Sequence, residues 1–268
     1  MTNPILVRGR CLVVVLIAAL LGACATPTPS GPGKDVTTAS DQTEAARRGA
    51  MRLELASAYF ASGQYATALD EVKQAIAVQP RMTEAFNLRG LIYAAMGEDQ
   101  LAEESFRYAL QLSPQSGDVM QNFGWYLCLS KRYPEANAMF QQALAQPQYR
   151  DTTRTLLTQG VCQARAGQLP EAEATLKQAF ALDPGSAAIA INYADVLYQR
   201  GQYDRARFYI KRVNDDPQQM SAQSLWLAAR IEYRSGNRPA ANDFGRQLQA
   251  KFAKSREAVA FEQGKFDE

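Results

Sequence analysis

Small and aromatic residues recur among polar ones along the chain with a period of about 34 residues, the length of one helical hairpin repeat. The clearest example has Gly90 and Tyr93 in a first apolar segment and Phe106 in a second, and it ends at Pro114. A small residue lets two helices approach closely, aromatic side chains fill the space between them, and proline cannot continue a helix. The pattern therefore predicts two packed helices joined by a short turn.

The pattern occurs about six times within residues 42–254 and resembles the tetratricopeptide repeat, whose signature is W-x2-L-G-x2-Y, then A-x3-F, then proline. A single hairpin cannot bury its own apolar face, so neighbouring hairpins must stack. We therefore expect an all-α fold, a right-handed superhelical solenoid of about six tetratricopeptide helix-turn-helix repeats. The third repeat has Lys131 where the second has the turn residue Gly97. The expected repeats and a final polar cap are 49–82, 83–116, 117–150, 153–186, 187–220, 222–254 and 255–268.

The N-terminal segment 1–23 has the features of a secretory signal peptide. Arginines precede an apolar run, Cys11–Leu21, that is too short to span a bilayer comfortably. The run leads into Leu21-Gly22-Ala23-Cys24, which resembles the bacterial lipobox, where the cysteine receives a diacylglyceryl group. The alternatives are an ordinary signal peptide or a membrane anchor, and neither requires a cysteine at position 24. We expect Cys24 to be lipidated.

The residue after Cys24 bears on the expected location. It is Ala25, whereas aspartate at this place favours the inner membrane in the sorting pattern of Gram-negative lipoproteins. Residues 24–41 are rich in Pro, Gly, Ser and Thr, which predicts a flexible tether. The sequence thus indicates a lipid-anchored protein on the periplasmic face of the outer membrane, with no cofactor besides the covalent lipid.

Charge and composition argue against several function classes. Without residues 1–23, the chain carries 27 basic and 27 acidic side chains, so it has no excess charge with which to bind nucleic acid. It contains no histidine, the commonest general base and metal ligand. Phosphate-binding loops, the G-x-S-x-G motif and zinc-spaced cysteine pairs are also missing. We therefore expect no enzyme activity, no metal site and no small-molecule substrate.

Two cysteines remain after Cys11 and Cys24 are set aside. Cys128 and Cys162 fall in the first helices of the third and fourth repeats, which are neighbours in the expected stack. An oxidising compartment would allow a disulfide between them. The alternative is two separate small residues in the core.

The resemblance to tetratricopeptide repeats also implies a binding surface, because the first helix of each hairpin lines the concave face in that fold. Its concave positions in the first three repeats form what we call the N-terminal groove: Leu53, Phe60, Ala61, Asn87, Leu91, Ala94, Ala95, Gln121, Trp125 and Leu129. An apolar channel with amides suits an amphipathic helix or an extended peptide. Alternatively, several of these side chains simply pack against the adjacent helix.

The same positions in the last three repeats form what we call the C-terminal groove. They are Arg154, Leu157, Arg165, Ile191, Asp195, Tyr198, Trp226, Arg230, Tyr233 and Arg234. This face is more polar, and aromatic and arginine residues are favoured anchors at protein interfaces. It suits either a second, charged partner or a solvated wall, and we favour the solvated wall.

The lipobox, the tether, the repeats and the string Asn122-Phe123-Gly124-Trp125-Tyr126-Leu127-Cys128, with Cys162 in the next repeat, together resemble the type IV pilus biogenesis and stability lipoproteins of the PilW/PilF family. This resemblance implies a pilotin, an outer-membrane lipoprotein that brings secretin subunits to the outer membrane for assembly into a ring. It implies that the N-terminal groove binds a secretin segment and that the protein performs no bond chemistry. The alternative is a general periplasmic scaffold lipoprotein of an envelope assembly machine, and an enzyme role survives only as recruitment of a hydrolase.

Overall fold

The computed structural model describes residues 43–266, and within this range all regular secondary structure is helical. The expected signal peptide, Cys24 and the tether lie outside the described residues. No helix of the described range is both long and apolar enough to cross a membrane. The helices are α1 Glu44–Ala61, α2 Tyr65–Val78, α3 Thr83–Met96, α4 Asp99–Leu112, α5 Gly117–Leu129, α6 Tyr133–Leu144, α7 Thr152–Arg165, α8 Leu169–Leu182, α9 Ala187–Gln199, α10 Tyr203–Asn214, α11 Ala222–Arg234, α12 Arg238–Phe252 and α13 Arg256–Glu262.

The first twelve helices form hairpins of consecutive partners, from α1 with α2 to α11 with α12. Each hairpin also packs on the next one, so the predicted all-α solenoid of stacked repeats is confirmed. Helix α1 begins at Glu44, upstream of the residue 49 at which the repeat pattern begins. The connection from Ala145 to Asp151 separates the third hairpin from the fourth.

A glycine in the first helix of several hairpins permits close contact with a large side chain of the second helix. A Cβ atom at Gly90 would lie 2.8 Å from the ring of Phe106, and one at Gly124 would lie 2.9 Å from the ring of Phe140. Both phenylalanines are fully buried. The small and aromatic positions of the repeat therefore do what the sequence pattern predicts, because the glycine leaves the space that the ring occupies.

The hairpins are arranged in two rows. Each first helix, from α1 to α9, contacts the first helix of the next hairpin. In the described range no second helix comes within 8 Å, between Cα atoms, of another second helix. The first helices therefore lie close together on the inner side of the stack, while the second helices stand apart on the outer side.

A disulfide joins two neighbouring helices of the inner row. Cys128 of α5 and Cys162 of α7 are bonded, with their Cα atoms 5.8 Å apart. Both side chains are buried. The bond thus links the third and fourth hairpins, the pair that the connection from residue 145 to residue 151 separates.

The C-terminal segment packs apolar side chains onto the last hairpin and is therefore more than the polar cap expected from the sequence. Helix α13 packs on both α11 and α12. Phe261 lies against Gly245 of α12 so closely that no Cβ would fit there. Phe266, beyond the end of α13, is only 8% exposed. The segment therefore covers the end of the stack with apolar side chains that have no repeat periodicity.

The turn of the third hairpin is strained at Lys131, which has a φ of 61°. The turns of the other hairpins have glycine in this left-handed conformation, for example Gly97 with a φ of 80°. In this conformation a residue with a Cβ is destabilised by roughly 1 to 2 kcal/mol, whereas glycine is not. Glycine also makes the unfolded chain more flexible, which offsets part of this difference. We expect Lys131→Gly to raise the free energy of unfolding by about 0.5 to 1 kcal/mol.

Chemical denaturation can measure this change. Lys131→Ala is the matched control, because it removes the same exposed side chain but keeps the Cβ. It should leave stability within about 0.5 kcal/mol of the original. Equal stabilisation by both variants would mean that the lysine side chain, rather than its backbone conformation, is unfavourable.

Candidate functional site

The inner row of first helices presents one continuous face, and the expected groove positions lie on it unevenly. Half-buried apolar side chains that pack against the neighbouring core are Leu53, Phe60, Leu91 and Ala94. Ala61, Ala95 and Leu129 are exposed, Leu129 to 51%. Gln121 is only 4% exposed. Most of the N-terminal groove is thus a shallow apolar surface, and the amide of Gln121 is largely withdrawn from it.

An amide pair crosses the N-terminal groove between two hairpins. Asn122 of α5 donates a hydrogen bond from Nδ2 to Oδ1 of Asn87 on α3, at 3.3 Å. Both side chains are half-buried. Each amide has more donor and acceptor positions than this one bond uses. The pair can therefore offer hydrogen bonds to the backbone of an extended segment.

Asn122 was not among the expected groove positions. It sits one place beyond Gln121, which the repeat frame selects instead. The signal that would have found it is the recurrence of asparagine, at 87 and again at 122, on neighbouring first helices. In the structure, the accessible amide of the third hairpin is therefore that of Asn122 and not that of Gln121.

Trp125 lies between the two halves of the inner face. The guanidinium of Arg165 on α7 is 5.1 Å from the centre of the Trp125 ring on α5. Such a cation–π contact holds the cation over the ring face. The disulfide joins the same two helices, so it limits how far the two side chains can move apart. Aromatic and arginine residues are together here in the form that protein interfaces favour.

A polar cavity of about 360 Å³ adjoins this pair between α7 and α9, and Arg165, Asn192 and Asp195 line it. Burial raises the pKa of the Asp195 carboxyl, while a hydrogen bond from Gln199 and the positive charge of Arg230 act in the opposite direction. Gln199 donates from Nε2 to Oδ2 of Asp195 at 2.6 Å. The cavity therefore offers both a cation and a hydrogen-bond acceptor to a polar group of a partner.

The C-terminal groove is only in part the solvated wall that we favoured from the sequence, with Arg154, Arg165 and Arg234 exposed. Phe266 covers part of it: its ring is 5.2 Å from Trp226 and 4.1 Å from Tyr233, measured between ring centres. Ile191 and Tyr198 are buried as well. Ile191 is buried in the core between α8 and α11, whereas Tyr198, Trp226 and Tyr233 contact the C-terminal segment. The repeat period does not indicate that this segment returns onto α11. Leu157 is half-buried, and exposed Arg154 lies 4.0 Å from Asp151.

The inner face has the features of a binding surface. It brings together apolar side chains, amides, an arginine over an aromatic ring and one half-buried carboxylate. In the part of the chain that the structure describes, no group of three or more His, Cys, Asp or Glu side chains is placed to hold a metal ion. Of the arrangements that recur in peptide recognition, the surface fits a groove for a helix or an extended segment best.

Comparison with known proteins agrees with the repeat assignment. Two sequence profiles described as tetratricopeptide repeat match the chain, one at residues 163–231 and the other at residues 53–117 and 130–187. The type IV pilus assembly protein PilF of Pseudomonas aeruginosa is 26% identical over 253 residues, which are 94% of this chain and 98% of PilF.

Two solved structures are similar over most of the described fold. The crystal structure of PilW, described as a widely conserved type IV pilus biogenesis factor, has a TM-score of 0.73 and 32% identity, with 80% of this chain and 97% of PilW covered. A structure of Pseudomonas aeruginosa PilF has a TM-score of 0.70 and 23% identity, with 83% of this chain and all of the PilF chain covered. The chain belongs to the family of tetratricopeptide-repeat proteins of type IV pilus biogenesis that PilW represents.

Proposed function

We propose that this protein is an outer-membrane lipoprotein pilotin, which binds secretin subunits of the type IV pilus machinery and promotes their assembly into a ring. The main support for the proposal is that the chain is similar in sequence to a type IV pilus assembly protein over nearly the whole length of both proteins. The lipobox at Leu21-Gly22-Ala23-Cys24 supports a lipid anchor at Cys24, with Ala25 favouring the outer membrane. The repeat scaffold would act through binding alone.

The N-terminal groove supports the binding step. It joins a shallow apolar surface to the Asn87–Asn122 amide pair and to Trp125 beside Arg165. An amphipathic or extended segment can place its apolar side chains on such a surface while its backbone bonds to the amides. We propose that the bound segment belongs to an unassembled secretin subunit. Binding would shield it from aggregation while the lipid carries the pair to the outer membrane.

Deletion of the gene tests this function directly. The measurement is a blot for heat-stable secretin multimers in the outer-membrane fraction, with total secretin monomer as the control. We expect multimers to disappear while monomer remains. Normal multimers together with normal surface pili would reject the pilotin function and leave a general envelope scaffold as the better explanation.

A variant of the lipobox separates anchoring from binding. Cys24→Ser would remove the sulfur that carries the lipid and leave the helical repeats unchanged. We expect a folded protein that binds secretin but no longer fractionates with the outer membrane. Normal outer-membrane fractionation of this variant would contradict the proposed anchor.

Substitutions in the N-terminal groove should weaken secretin binding without unfolding the stack. Leu91→Asp places a charge on the apolar surface, and Trp125→Ala removes the largest accessible ring. We expect each to weaken binding about tenfold or more, as loss of an interface anchor does. Affinity can be measured with purified secretin domains, and thermal unfolding can verify the fold.

The matched control for the tryptophan variant is Phe208→Ala. Phe208 is an aromatic residue on α10 that is 58% exposed and lies outside the inner row. This variant should bind secretin normally. Unchanged affinity in a folded Leu91→Asp/Trp125→Ala double variant would move the binding site away from the N-terminal groove.

A further inference from the structure

Phe266 sits in an aromatic pocket made by helices of the last two hairpins and α13. Its ring lies parallel to that of Tyr233, with ring centres 4.1 Å apart, and 5.2 Å from that of Trp226. Phe261 of α13 approaches its edge, at 5.9 Å. With 8% exposure, Phe266 is buried like a core residue although it follows the last helix. We call this pocket the Phe266 seat.

The backbone at Phe266 is also held, by two different hairpins. Tyr198 of α9 donates a hydrogen bond from its hydroxyl to the carbonyl oxygen of Phe266, and Arg230 of α11 donates another from Nε, each at 3.4 Å. The Arg230 guanidinium also lies 4.6 Å from the centre of the Tyr198 ring. Bonds to a backbone carbonyl do not depend on the side chain that carries it. The seat thus contains the elements of a site for an extended segment: a pocket for one aromatic ring and donors for its carbonyl.

Positively charged side chains lie beside the seat. A cavity of about 610 Å³ beside Trp226 has Lys254 and Arg256 in its wall, with Glu257 as the acidic residue there. Arg230 adds a further positive charge at the carbonyl. In the sequence, Phe266 is followed by Asp267 and Glu268. The aromatic residue that occupies the seat is therefore followed in the sequence by two acidic residues, and the positive charge beside the seat is complementary to a segment of this composition.

We propose that the Phe266 seat is a second binding site, for an extended partner segment with an aromatic residue next to acidic residues, and that Phe266 occupies it until the partner displaces it. The contacts of Phe266 come from α9, α11 and α13, so the site shares no residue with the N-terminal groove. A tail that occupies its own site lowers the apparent affinity for a partner by the fraction of molecules in which the site is empty. This proposal stands whether or not the N-terminal groove binds a secretin.

The turn before Phe266 provides a way to shift this equilibrium. Gly264 has a φ of 67°, and no atom lies within 4 Å of where its Cβ would be. A side chain at this position would strain the backbone of the docked tail without contacting the seat. Gly264→Val should therefore favour the undocked tail while the residues of the seat and Phe266 itself remain.

The test measures binding of a fluorescein-labelled peptide, Gln263–Glu268 of this chain, to the full-length purified protein by fluorescence polarisation. We expect Phe266→Ala to bind the peptide at least about tenfold more tightly than the original protein, because its own tail no longer competes. A peptide with alanine in place of phenylalanine should not bind. In the Phe266→Ala background, Trp226→Ala should remove binding of the original peptide.

Two further variants decide the remaining cases. Gly264→Val should increase peptide affinity by about threefold or more, and it serves as the deciding variant if Phe266→Ala fails to fold. Phe208→Ala, an exposed phenylalanine elsewhere, should leave peptide affinity unchanged. A folded Phe266→Ala protein that binds no better than the original, or that binds the alanine peptide equally well, would overturn the proposal. So would an absence of any gain in folded Gly264→Val.

Discussion

Replacing both Cys128 and Cys162 with alanine is expected to lower the free energy of unfolding by about 4 kcal/mol. The disulfide closes a loop with a sequence separation of 34 residues. In the chain-entropy description, removing a cross-link that closes a loop of this length increases the conformational entropy of the unfolded chain, which lowers its free energy by about that amount. Both sulfurs are buried, so the alanine variants also lose packing around the former bond.

The effect should be seen in the shape of the unfolding curve as well as in its midpoint. Stability in stacked repeats is a sum of repeat and nearest-neighbour contributions. The disulfide lies at the contact between the third and fourth hairpins. Without it, we expect the first three hairpins and the last three to unfold in separable steps. Circular dichroism during urea denaturation, with the reduced original protein as the comparison, can measure both quantities.

The reduced protein separates the cross-link from the packing of the sulfur atoms. It should show most of the loss, because it keeps both side chains and lacks only the bond. A reduced protein as stable as the oxidised one would mean that the bond contributes little to the stability of the folded stack. The N-terminal groove should then be insensitive to reduction too.

Phe106→Ala is the second substitution for which we expect a large effect, a loss of about 3 to 5 kcal/mol. The ring is fully buried, and its centre lies 5.3 Å from that of Phe123 and 5.7 Å from that of Tyr126 in the next hairpin. It therefore fills the space within its own hairpin and the contact with the next one. Phe208→Ala removes the same atoms from an exposed site and should cost less than about 1 kcal/mol.

Gly90 allows a sharper form of the same test. Gly90→Ala alone should destabilise by about 1 to 3 kcal/mol, because its Cβ would meet the Phe106 ring at 2.8 Å. In the Phe106→Ala background the ring is gone, and alanine should be favoured over glycine by roughly 0.5 to 1 kcal/mol within a helix. Denaturation of the four proteins of this cycle gives the coupling energy. Additive changes would mean that the two residues do not constrain each other.

The sequence was sufficient to predict the elements that repeat. Gly90 with Phe106, and Gly124 with Phe140, are spaced identically, and each pair meets as that spacing predicts. The position of Cys128 and Cys162 on neighbouring first helices follows from the same frame, and the structure places their bond there. What recurs with the repeat is local and periodic, so a single sequence is enough to recognise it.

Two of the features that sequence analysis missed do not recur with the repeat. Phe266 lies in the C-terminal groove because a turn at Gly264 brings it back onto α11, and nothing in the spacing of the last residues indicates this contact. Glu44, where α1 begins, lies ahead of the repeat frame and extends the first helix beyond its usual length. The repeat frame also selected Gln121, whereas Asn122 forms the amide pair with Asn87. Groove positions taken from a repeat family are accurate only to about one residue, and one residue is enough to move a side chain to another side of a helix.

The two rows of helices have a mechanical consequence. A pull along the stack would load the contacts between neighbouring hairpins, namely the inner row of first helices and the packing of each second helix on the next first helix. At the middle of that row the Cys128–Cys162 bond adds a covalent link that tension cannot extend. Under tension the protein should therefore extend first between its terminal hairpins, and the third and fourth hairpins should separate last.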